Sequence, residues 1–375
     1  MSKWQKVKLG DICDILDSYR VPITAKNREV GIYPYYGANG IQDYVKDFIF
    51  DGDYVLVAED GGYFGSKTKP ISYKVSGKFW VNNHAHILKA KKDIFTDYLC
   101  YSTMFYDVSS LVNGATRQKL TQAALKEIKI PLPPMEEQKK IAARLDAVSD
   151  LLAKQKQLLS EQDTLIQSTF YDIFGDPIKN EKGWNSKKLS ELGSLKNGIN
   201  FQKNDNESDL YCLGVADFKD NKYISDISAL QKVPSKSVNL TEDLLKNGDI
   251  VFVRSNGNKA LVGRCVAVYP NEEAVTFSGF CIRFRKSTTL IKTDYLLYFL
   301  KTPQVRNALA GRGANIQNLN QQILSRVNIL CPPFELQQKF AAIAEQIESE
   351  KSKIKSAIAE TQTLFNSMMS EYFEE

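Results

Sequence analysis

Apolar residues follow a seven-residue repeat through one long stretch of the chain. No proline or glycine occurs from Met135 to Phe174. One apolar stripe recurs at every seventh position, at Leu145, Leu152, Leu159, Ile166 and Ile173, beside a second stripe of Leu151, Leu158 and Leu165. Such a pattern is typical of a helix that packs against another helix in a coiled coil. With a rise of roughly 1.5 Å per residue, it predicts a helix of about 60 Å, ending where Gly175 and Pro177 follow.

A second stretch, about 334–372, alternates steps of three and four residues along one helical face. The positions on this face are Ala344, Ile347, Lys351, Ile354, Ile358, Thr361, Phe365 and Met368. Polar residues interrupt a seam that would otherwise be continuous and apolar. We predict that the two long helices pack on each other. The alternative is that each is an ordinary amphipathic helix packed on its own domain.

Short segments outside the long helices have the composition of β-strands. They are rich in β-branched and aromatic residues and are mostly bounded by glycine, proline or asparagine. These segments are 54–57, 71–75 and 84–88 in the first half, and 250–253, 265–269 and 280–284 in the second. A helix near Asp97–Leu111, matched by Asp294–Ala310, is predicted to close each set. Each globular part is therefore predicted to mix helices and strands.

The chain repeats almost the whole of this series. The segment 114–122, Gly-Ala-Thr-Arg-Gln-Lys-Leu-Thr-Gln, returns at 313–321 as Gly-Ala-Asn-Ile-Gln-Asn-Leu-Asn-Gln. Each copy precedes a double proline and a long helix, and Trp4–Leu9 reappears as Trp184–Leu189. A repeat of this length is too long for a solenoid, so we infer a duplicated domain. Two similar domains imitate a homodimer and suit a two-sided ligand such as duplex DNA with two half-sites.

The repeat predicts an α+β fold with pseudo-twofold symmetry. Two similar domains of mixed α/β structure would be joined by two long antiparallel coiled-coil helices. The predicted boundaries are 1–132 for the first domain, 133–176 for the central helix, 177–331 for the second domain and 332–375 for the C-terminal helix. Because each helix leaves its domain at the same structural point, we expect the two domains at opposite ends of a rod.

Composition narrows the class of protein only slightly. The 375 residues suffice for two domains with hydrophobic cores. We expect a soluble cytoplasmic protein, because no run approaches a membrane span and the start lacks a signal-peptide core. Six cysteines without Cys-x-x-Cys spacing are expected to be buried thiols in a reducing compartment. The net charge of +5 permits binding to a polyanion without demanding it.

Motifs for catalysis are weak throughout. An adenine methyltransferase needs a polar residue before its Pro-Pro pair, whereas this chain has Leu132 and Cys331 there. The glycine-rich segment 61–68 has serine where a phosphate-binding loop needs its last glycine, and no helix pattern follows it. Glu127-Ile128-Lys129 resembles half of a nuclease motif, but its counterpart at 326–328 lacks both the acid and the lysine. We therefore predict no catalytic residues on this chain.

Cofactor and metal sites are likewise not predicted. His84 and His86 would share a face of a strand and are able in principle to ligate a metal, but no cysteine or carboxylate cluster joins them in sequence. A structural or DNA-contacting role is the better interpretation.

Several loops instead combine cations with amide side chains, which suits nucleic acid. Cations neutralise phosphates, while amides and guanidinium groups read base edges. The candidate residues in these loops are Lys67, Thr68, Lys69, Asn82, Asn83, His84, Arg254, Ser255, Asn256, Asn258, Lys259 and Arg264. Because 58–61 (Ala-Glu-Asp-Gly) aligns with 254–257 (Arg-Ser-Asn-Gly), we expect acceptors in one domain and donors in the other. The alternative for each residue is a solvated surface loop.

This layout resembles the specificity subunit of type I restriction-modification systems. The resemblance rests on the Trp-x-x-x-x-Leu start, the Gly-Ala-Thr/Asn-x-Gln-x-Leu segment and the Pro-Pro-x-Glu-x-Gln-x-x-Ile/Phe-Ala helix entry, each present twice. It covers essentially the whole chain. The most specific part is the helix entry at 133–142 and 332–341.

The resemblance implies how the chain works and with what. Two target-recognition domains would each read one half of a split DNA target, and the helices would fix the number of unread base pairs. Partners would be double-stranded DNA, two methylation subunits and restriction subunits, with S-adenosylmethionine, ATP and Mg²⁺ on those partners and none on this chain. In the family the loop before each long helix lies near DNA, which adds as candidates Gly114, Ala115, Thr116, Arg117, Gln118, Gly313, Ala314, Asn315 and Gln317. Ile316 stands where the first copy has Arg117, a departure at a possible contact.

Two other functions compete with this interpretation. One is a non-catalytic coiled-coil scaffold whose loops are plain surface. The other is a decoy that binds methylation subunits without DNA. Salt dependence separates DNA reading from a scaffold, because an interface that neutralises phosphates weakens steeply as salt rises.

Overall fold

A computed structural model describes residues 4–114, 118–201, 209–219, 221–235, 238–310 and 318–374. Its contacts divide the chain into two compact units. The first unit comprises Met1–Gln157 together with Lys355–Glu375, and the second comprises Leu158–Ile354. Each unit therefore contains one globular domain and a part of each long helix.

The globular domain of the first unit is built on two sheets. Its strands are β1 (Lys6–Lys8), β2 (Cys13–Ile15), β3 (Val30–Gly37), β4 (Gly40–Val45), β5 (Phe50–Asp51), β6 (Tyr54–Ala58), β7 (Ser72–Val75), β8 (Lys78–Val81), β9 (Ala85–Ala90) and β10 (Lys129–Pro131). Its helices are α1 (Leu9–Ile12), α2 (Thr96–Met104), α3 (Gln122–Glu127) and the start of α4 (Met135–Phe174). The strand orders are β2-β9-β6-β7 and β4-β3-β8-β5, and β1 pairs with β10. All five residues of β6 are buried, so this strand is the centre of the core.

The second unit follows the same plan. Its strands are β11 (Ser186–Lys188), β12 (Gly193–Asn197), β13 (Leu210–Leu213), β14 (Tyr223–Ile224), β15 (Gln231–Val233), β16 (Asp249–Val253), β17 (Cys265–Val268), β18 (Val275–Phe277), β19 (Cys281–Lys286) and β20 (Asn328–Leu330). Its helices are α5 (Leu189–Leu192), α6 (Thr293–Lys301), α7 (Pro303–Ala310), α8 (Gln321–Ser325) and the start of α9 (Phe334–Met369). The strand orders are β12-β19-β16-β17-β14 and β15-β13-β18, and β11 pairs with β20.

Strand register confirms the duplication. In the first unit Val57 of β6 lies opposite Ser72 of β7, and in the second Phe252 of β16 lies opposite Cys265 of β17. The first strand of each unit pairs antiparallel with the last strand before its long helix. The mixed α+β fold of two similar domains is therefore as predicted.

The helices that close each domain differ from the prediction. Helix α2 ends at Met104 rather than near Leu111. The predicted helix 294–310 is interrupted at Thr302, whose ψ of 141° is extended. The cause is Pro303, because a proline ring disfavours helical geometry in the residue before it. The segment therefore forms two helices, α6 and α7.

The helix pair of the first unit is antiparallel. The hydroxyl of Tyr372 accepts a hydrogen bond from Arg144 at 3.1 Å, and Thr361 accepts one from Gln155 at 3.2 Å. Residues later in α4 therefore contact residues earlier in α9. Leu145 and Leu152 share one buried core with Phe365 of α9.

The second unit contains an antiparallel pair of its own. The rings of Phe170 and Phe340 are 5.4 Å apart between centroids, and Lys351 bonds to Asp163 at 2.6 Å. Lys351 is only 6% exposed, so a charged group occupies a seam position. The polar interruption expected in the α9 seam is therefore an ion pair.

Only one of the two predicted stripes on α4 is buried. Leu145, Leu152 and Ile166 are buried, whereas Leu159 and Ile173 are half-buried. The second stripe faces outward, with Leu151 46%, Leu158 43% and Leu165 48% exposed. No described helix is both long and apolar enough to cross a membrane.

A buried glutamine fastens the start of each long helix to its domain. Gln138 accepts from the backbone N–H of Phe95 at 2.9 Å and donates to the carbonyls of Asp93 and Pro133. Gln337 accepts from Lys292 at 2.8 Å and donates to the carbonyls of Leu290 and Pro332. The Pro-Pro-x-Glu-x-Gln motif thus has a structural role, because its glutamine satisfies three backbone groups that would otherwise be unpaired.

Candidate nucleic-acid interface

The candidate loops of each domain meet at the end of its central strand. In the first unit Glu59, next after β6, donates its N–H to the carbonyl of His84 at 2.8 Å and accepts from Leu120 at 2.7 Å. In the second unit Arg254 donates to Phe280 at 2.7 Å and accepts from Leu319 at 2.8 Å. The same backbone bonds therefore join three segments in each domain.

Side-chain caps hold the third of these segments in place. Thr121 accepts from the N–H of Ala124 at 3.3 Å at the start of α3. Asn320 accepts from the N–H of Ile323 at 2.8 Å at the start of α8. Both are N-cap bonds, which satisfy an amide that has no partner within the helix. Each cap fixes the exit of the loop that the resemblance places near DNA.

A network of charges lies beneath these loops in the first unit. Glu59 bonds to Arg20 at 2.5 Å and to Lys119 at 2.8 Å. His86 bonds to Asp17 at 2.6 Å through Nδ1 and to the carbonyl of Leu120 at 2.8 Å through Nε2. The buried ring of His86 therefore links β9 both to Asp17 and to Leu120 at the exit of the loop.

The acids of this network are held in the charged form. Burial by itself raises the pKa of Asp17, but the hydrogen bond and charge of His86 and the charge of Arg20 outweigh it, and the pKa is lowered. The pKa of Glu59 is also lowered, because its bonds to Lys119 and Arg20 outweigh burial. Glu59 is only 7% exposed. It therefore does not present the surface acceptor that we expected from the alignment of 58–61 with 254–257. The backbone bonds instead make Glu59 the counterpart of Arg254, one residue away from that alignment.

The same cluster has the outline of a metal site. Ligand atoms of Asp17, Glu59 and His86 lie within 4.8 Å of one another. Both carboxylates already have cationic partners, because Arg20 lies 3.6 Å from Asp17 and 2.5 Å from Glu59, and Lys119 lies 2.8 Å from Glu59. We therefore interpret the cluster as a structural network that holds the loop in place rather than as a metal site.

The candidate residues in the turn before β9 differ in burial: some lie in the interior and others on the surface. Asn82 is 3% exposed, donates to Gln42 at 2.9 Å and accepts from the N–H of His84 at 2.7 Å. Its amide is committed to the fold, which corrects its place among the expected contacts. Asn83 is exposed. His84 is half-buried and its Nδ1 lies 2.7 Å from Asp60.

The loop after β6 keeps its cations outside. Ser66 accepts from the N–H groups of Thr68 and Lys69, which makes a tight turn. Lys67, Thr68 and Lys69 are exposed, and the ammonium of Lys69 lies 4.4 Å from the centroid of the Tyr63 ring. Ser66 and Lys67 also line a pocket of about 500 Å³ beside α2.

The loop that the resemblance places near DNA is described only at its edges. Gly114 and Gln118 are exposed, and Asn113 bonds to Lys119 in both directions across the loop. Gly114 has a φ of 108°, which favours glycine. The other candidates of the two copies lie outside the described residues: Ala115, Thr116, Arg117, Gly313, Ala314, Asn315 and Gln317.

The loop 254–264 of the second unit is organised by its own side chains. Asn256 accepts from the N–H of Asn258 at 2.8 Å, and Asn258 accepts from Ala260 at 3.0 Å. Ser255 pairs with Asn318 across a β-bridge, and Arg254 is half-buried beside Gly279. The side chain of Lys259 is outside the described part. Arg264 donates to the carbonyl of Lys219 at 2.9 Å.

The structure therefore unites some candidates and separates others. Asn83, His84 and Gln118 border one strand end in the first unit, while Arg254, Ser255 and Asn256 border its equivalent in the second. The network of Arg20, Asp17 and Lys119 was not predicted from the sequence. Its partners are distant in sequence, 69 residues apart for Asp17 and His86, so no local pattern reveals it.

Comparison with known proteins supports the resemblance. The family model described as the type I restriction modification DNA specificity domain matches residues 1–161 and again 181–361. A putative type I restriction enzyme specificity subunit of Haemophilus influenzae is 28% identical over 354 residues, covering 92% of this chain and 88% of the relative. The StySPI specificity subunit of Salmonella potsdam is 27% identical, covering 75% of this chain and 64% of the relative.

Solved structures agree at the level of the fold. The S subunit of a type I restriction-modification system from M. genitalium has a TM-score of 0.61 at 15% identity, covering 99% of this chain and 96% of that one. A chain from a study of complex assembly in a type I system has a TM-score of 0.59 at 17% identity, with 98% and 97% covered. At these identities the likeness shows the fold alone.

Proposed function

Because the chain belongs to the family of type I restriction-modification DNA specificity domains, we propose that each of its two domains reads one half of a split DNA target. The observation that carries this proposal is the shared loop framework. Backbone bonds at Glu59 and at Arg254 hold three loop segments together in the same way. Different side chains displayed from equivalent positions would give each domain its own sequence preference.

The side chains at these positions are chemically suited to base edges. The first unit presents Asn83, Gln118 and the His84–Asp60 pair, and the second presents Arg254, Asn256 and Asn258. Amides and guanidinium groups form paired hydrogen bonds to adenine and guanine in the major groove. The exposed cations Lys67 and Lys69 are suited to phosphates, which position a protein without specifying sequence.

We propose that the long helices set the spacing between the half-sites. In each unit they run antiparallel and pack through buried side chains. Polar pairs join the two helices, Gln155 with Thr361 in the first unit and Asp163 with Lys351 in the second. Thr361 and Lys351 are buried at the seams, while Asp163 is exposed at the edge. Polar residues at seam positions favour one register of a helix pair over others. A fixed register would make the spacing a constant of the protein.

Catalysis is assigned to partner subunits. We propose that methylation subunits carrying S-adenosylmethionine, and restriction subunits using ATP and Mg²⁺, dock on this non-catalytic chain in the cytoplasm. Exposed leucines on α4 support docking of a protein, because apolar side chains repeated along one face favour burial. They are Leu151 in the first unit and Leu158 and Leu165 in the second.

A domain exchange tests the reading of half-sites. Residues 1–130 would be replaced by the equivalent segment of another specificity subunit, and the methylome of a host expressing the chimaera with its methylation subunit would be sequenced. We expect one half of the methylated sequence to change and the other to persist. The matched exchange of 185–331 should change the opposite half. A change of both halves in either chimaera would refute two independent readers.

A second experiment addresses the spacing. One whole heptad would be removed from or added to 145–173 of α4, with the facing seven residues of α9 changed to match. Because the seam keeps its phase, both half-sites should persist while the number of unread base pairs changes. An unaltered spacing in the methylome would contradict the role of the helices.

A further inference from the structure

The second unit contains a surface pocket lined by cations. Its volume is about 230 Å³, large compared with the roughly 30 Å³ that one water occupies in the liquid. The basic lining residues are Lys219, Lys222, Arg264, Lys301 and Arg306. No acidic side chain is among the described residues that line it.

Among the described residues, most of these cations have no carboxylate partner. Lys222 is neutralised by Glu348 at 2.5 Å and Asp163 at 3.3 Å. Arg264, Lys301 and Arg306 instead donate to backbone carbonyls, those of Lys219, Asn221 and Ala260 respectively. In the described part of the chain no ion pair reaches these three side chains. The Nε of Arg264 is buried without any hydrogen-bond partner there.

Within the described residues, the positive charge of this pocket is not balanced by acidic side chains. Burial lowers the pKa of Lys301, and the charges of Lys222, Arg306 and Arg264 lower it further. Carbonyl dipoles satisfy single donors but leave the net charge in place. An anion with several oxygen atoms would accept from the unused donors and neutralise the charge, and guanidinium groups suit such an anion well.

The fold itself does not require these charges. Arg264 directly precedes Cys265, which is paired with Phe252, and in the first unit Ile71 precedes Ser72, which is paired with Val57. Lys301 ends α6 just as Met104 ends α2. The sister domain thus places Ile71 and Met104 at these two positions, where the N–H of Ile71 bonds to the carbonyl of Met104.

The pocket lies beside one candidate DNA loop and beside the helix that precedes a second one in sequence. Arg264 ends the loop 254–264, and Arg306 belongs to α7, which leads into residues 311–317. Arg306 also bonds to Ala260 within the first of these loops, at 3.2 Å. We propose that this pocket binds a phosphate group. A DNA backbone phosphate and a free phosphate share this chemistry, and the DNA source rests on the function proposed above.

Titration with inorganic phosphate tests the pocket without DNA. The full chain would be titrated by calorimetry at constant ionic strength, alongside the variant Arg264→Ile/Lys301→Met, which copies the sister domain. Removing two donors should weaken phosphate binding by about tenfold or more. Lys187→Met, which changes an exposed lysine on β11, is the control and should bind like the parent. Arg306→Gln gives a second, milder variant, and thermal unfolding checks that each is folded.

Several results of the phosphate titration would overturn the proposal. Equal binding by the parent and the double variant, or no binding by the parent, would overturn the proposal. Asp220 lies between Lys219 and Asn221 in sequence and outside the described residues. If phosphate binds only after the substitution Asp220→Asn, the carboxylate of Asp220 neutralises the pocket and the proposal is wrong.

A DNA arm identifies the source of the phosphate. The complex with its methylation subunits would be titrated with target DNA at several salt concentrations. Loss of one backbone contact should reduce the slope of log affinity against log salt by about one, with the methylated sequence unchanged. A reduced slope in the double variant indicates a DNA phosphate. An unchanged slope, with phosphate binding lost, indicates a free phosphate. Failure of all sequence-specific DNA binding would count against the proposed function and leave the phosphate titration valid.

Discussion

Replacing Gln337 by leucine should detach the start of α9 from its domain. The side chain is fully buried and joins the helix entry to the segment before α6. Leucine has a similar volume and fills the same space, so cavity formation contributes little. The change therefore isolates the hydrogen bonds of the motif glutamine.

The expected loss follows from three bonds. Gln337 accepts from Lys292 at 2.8 Å and donates to the carbonyls of Leu290 at 3.0 Å and Pro332 at 2.8 Å. Each bond contributes about 1 kcal/mol net, and backbone groups left buried without partners add to the cost. We expect the free energy of unfolding of the second unit to fall by about 3–5 kcal/mol. Gln138→Leu should have the same effect on the first unit.

Hydrogen exchange followed by mass spectrometry is the suitable assay, because it reports each unit separately where a single melting curve does not. The matched control is Gln338→Leu, which changes the exposed neighbour on the same helix and should stay within about 0.5 kcal/mol. If Gln337→Leu is as stable as this control, the buried glutamine does not hold the helix to the domain. Equal destabilisation of both units by one substitution would also contradict the reasoning.

Three further predictions concern the helices and the loop framework. The pKa of Asp163 is lowered because the bond to Lys351 outweighs burial. The ionised carboxylate therefore stabilises the fold at neutral pH, and this stabilisation is lost on acidification below about pH 4. Asp163→Asn should flatten that part of a curve of unfolding free energy against pH. His86→Leu should lower the stability of the first unit by about 2–4 kcal/mol and speed hydrogen exchange at 118–121. The double variant Leu158→Asp/Leu165→Asp should keep the free energy of unfolding within about 1 kcal/mol of the parent, yet reduce co-purification with methylation subunits. Undiminished co-purification would show that this face is not the docking surface.

Sequence pattern predicted the parts of the fold that depend on local chemistry. Helix α4 ends at Phe174, where Gly175 adopts a φ of 77° and Lys182 donates to the carbonyl of Ile173 at 3.0 Å. Glycine tolerates this conformation, so the end of the helix is encoded by neighbouring residues. The break at Thr302 has an equally local cause in Pro303, although the helix predicted from the sequence continued through it.

Other features depend on contacts that no local pattern contains. The exposure of Leu151, Leu158 and Leu165 reflects how many helices pack around α4, whereas a heptad repeat shows only that apolar positions recur. Asn82 is a residue type that is common in surface loops, yet its side chain is buried and bonded to Gln42 and to the N–H of His84. The network around His86 joins segments far apart in sequence, so its members had the appearance of unrelated polar residues.

The position after the central strand explains how one fold can carry two readers. Its main-chain N–H and C=O make both of the bonds that hold the loops, in the first unit at Glu59 and in the second at Arg254. Since the backbone supplies the framework, the side chain is free to differ. In one domain the carboxylate turns inward to Arg20 and Lys119, and in the other the guanidinium remains half-buried beside Gly279. A fold organised in this way can change the groups that it offers to DNA while its loops stay anchored.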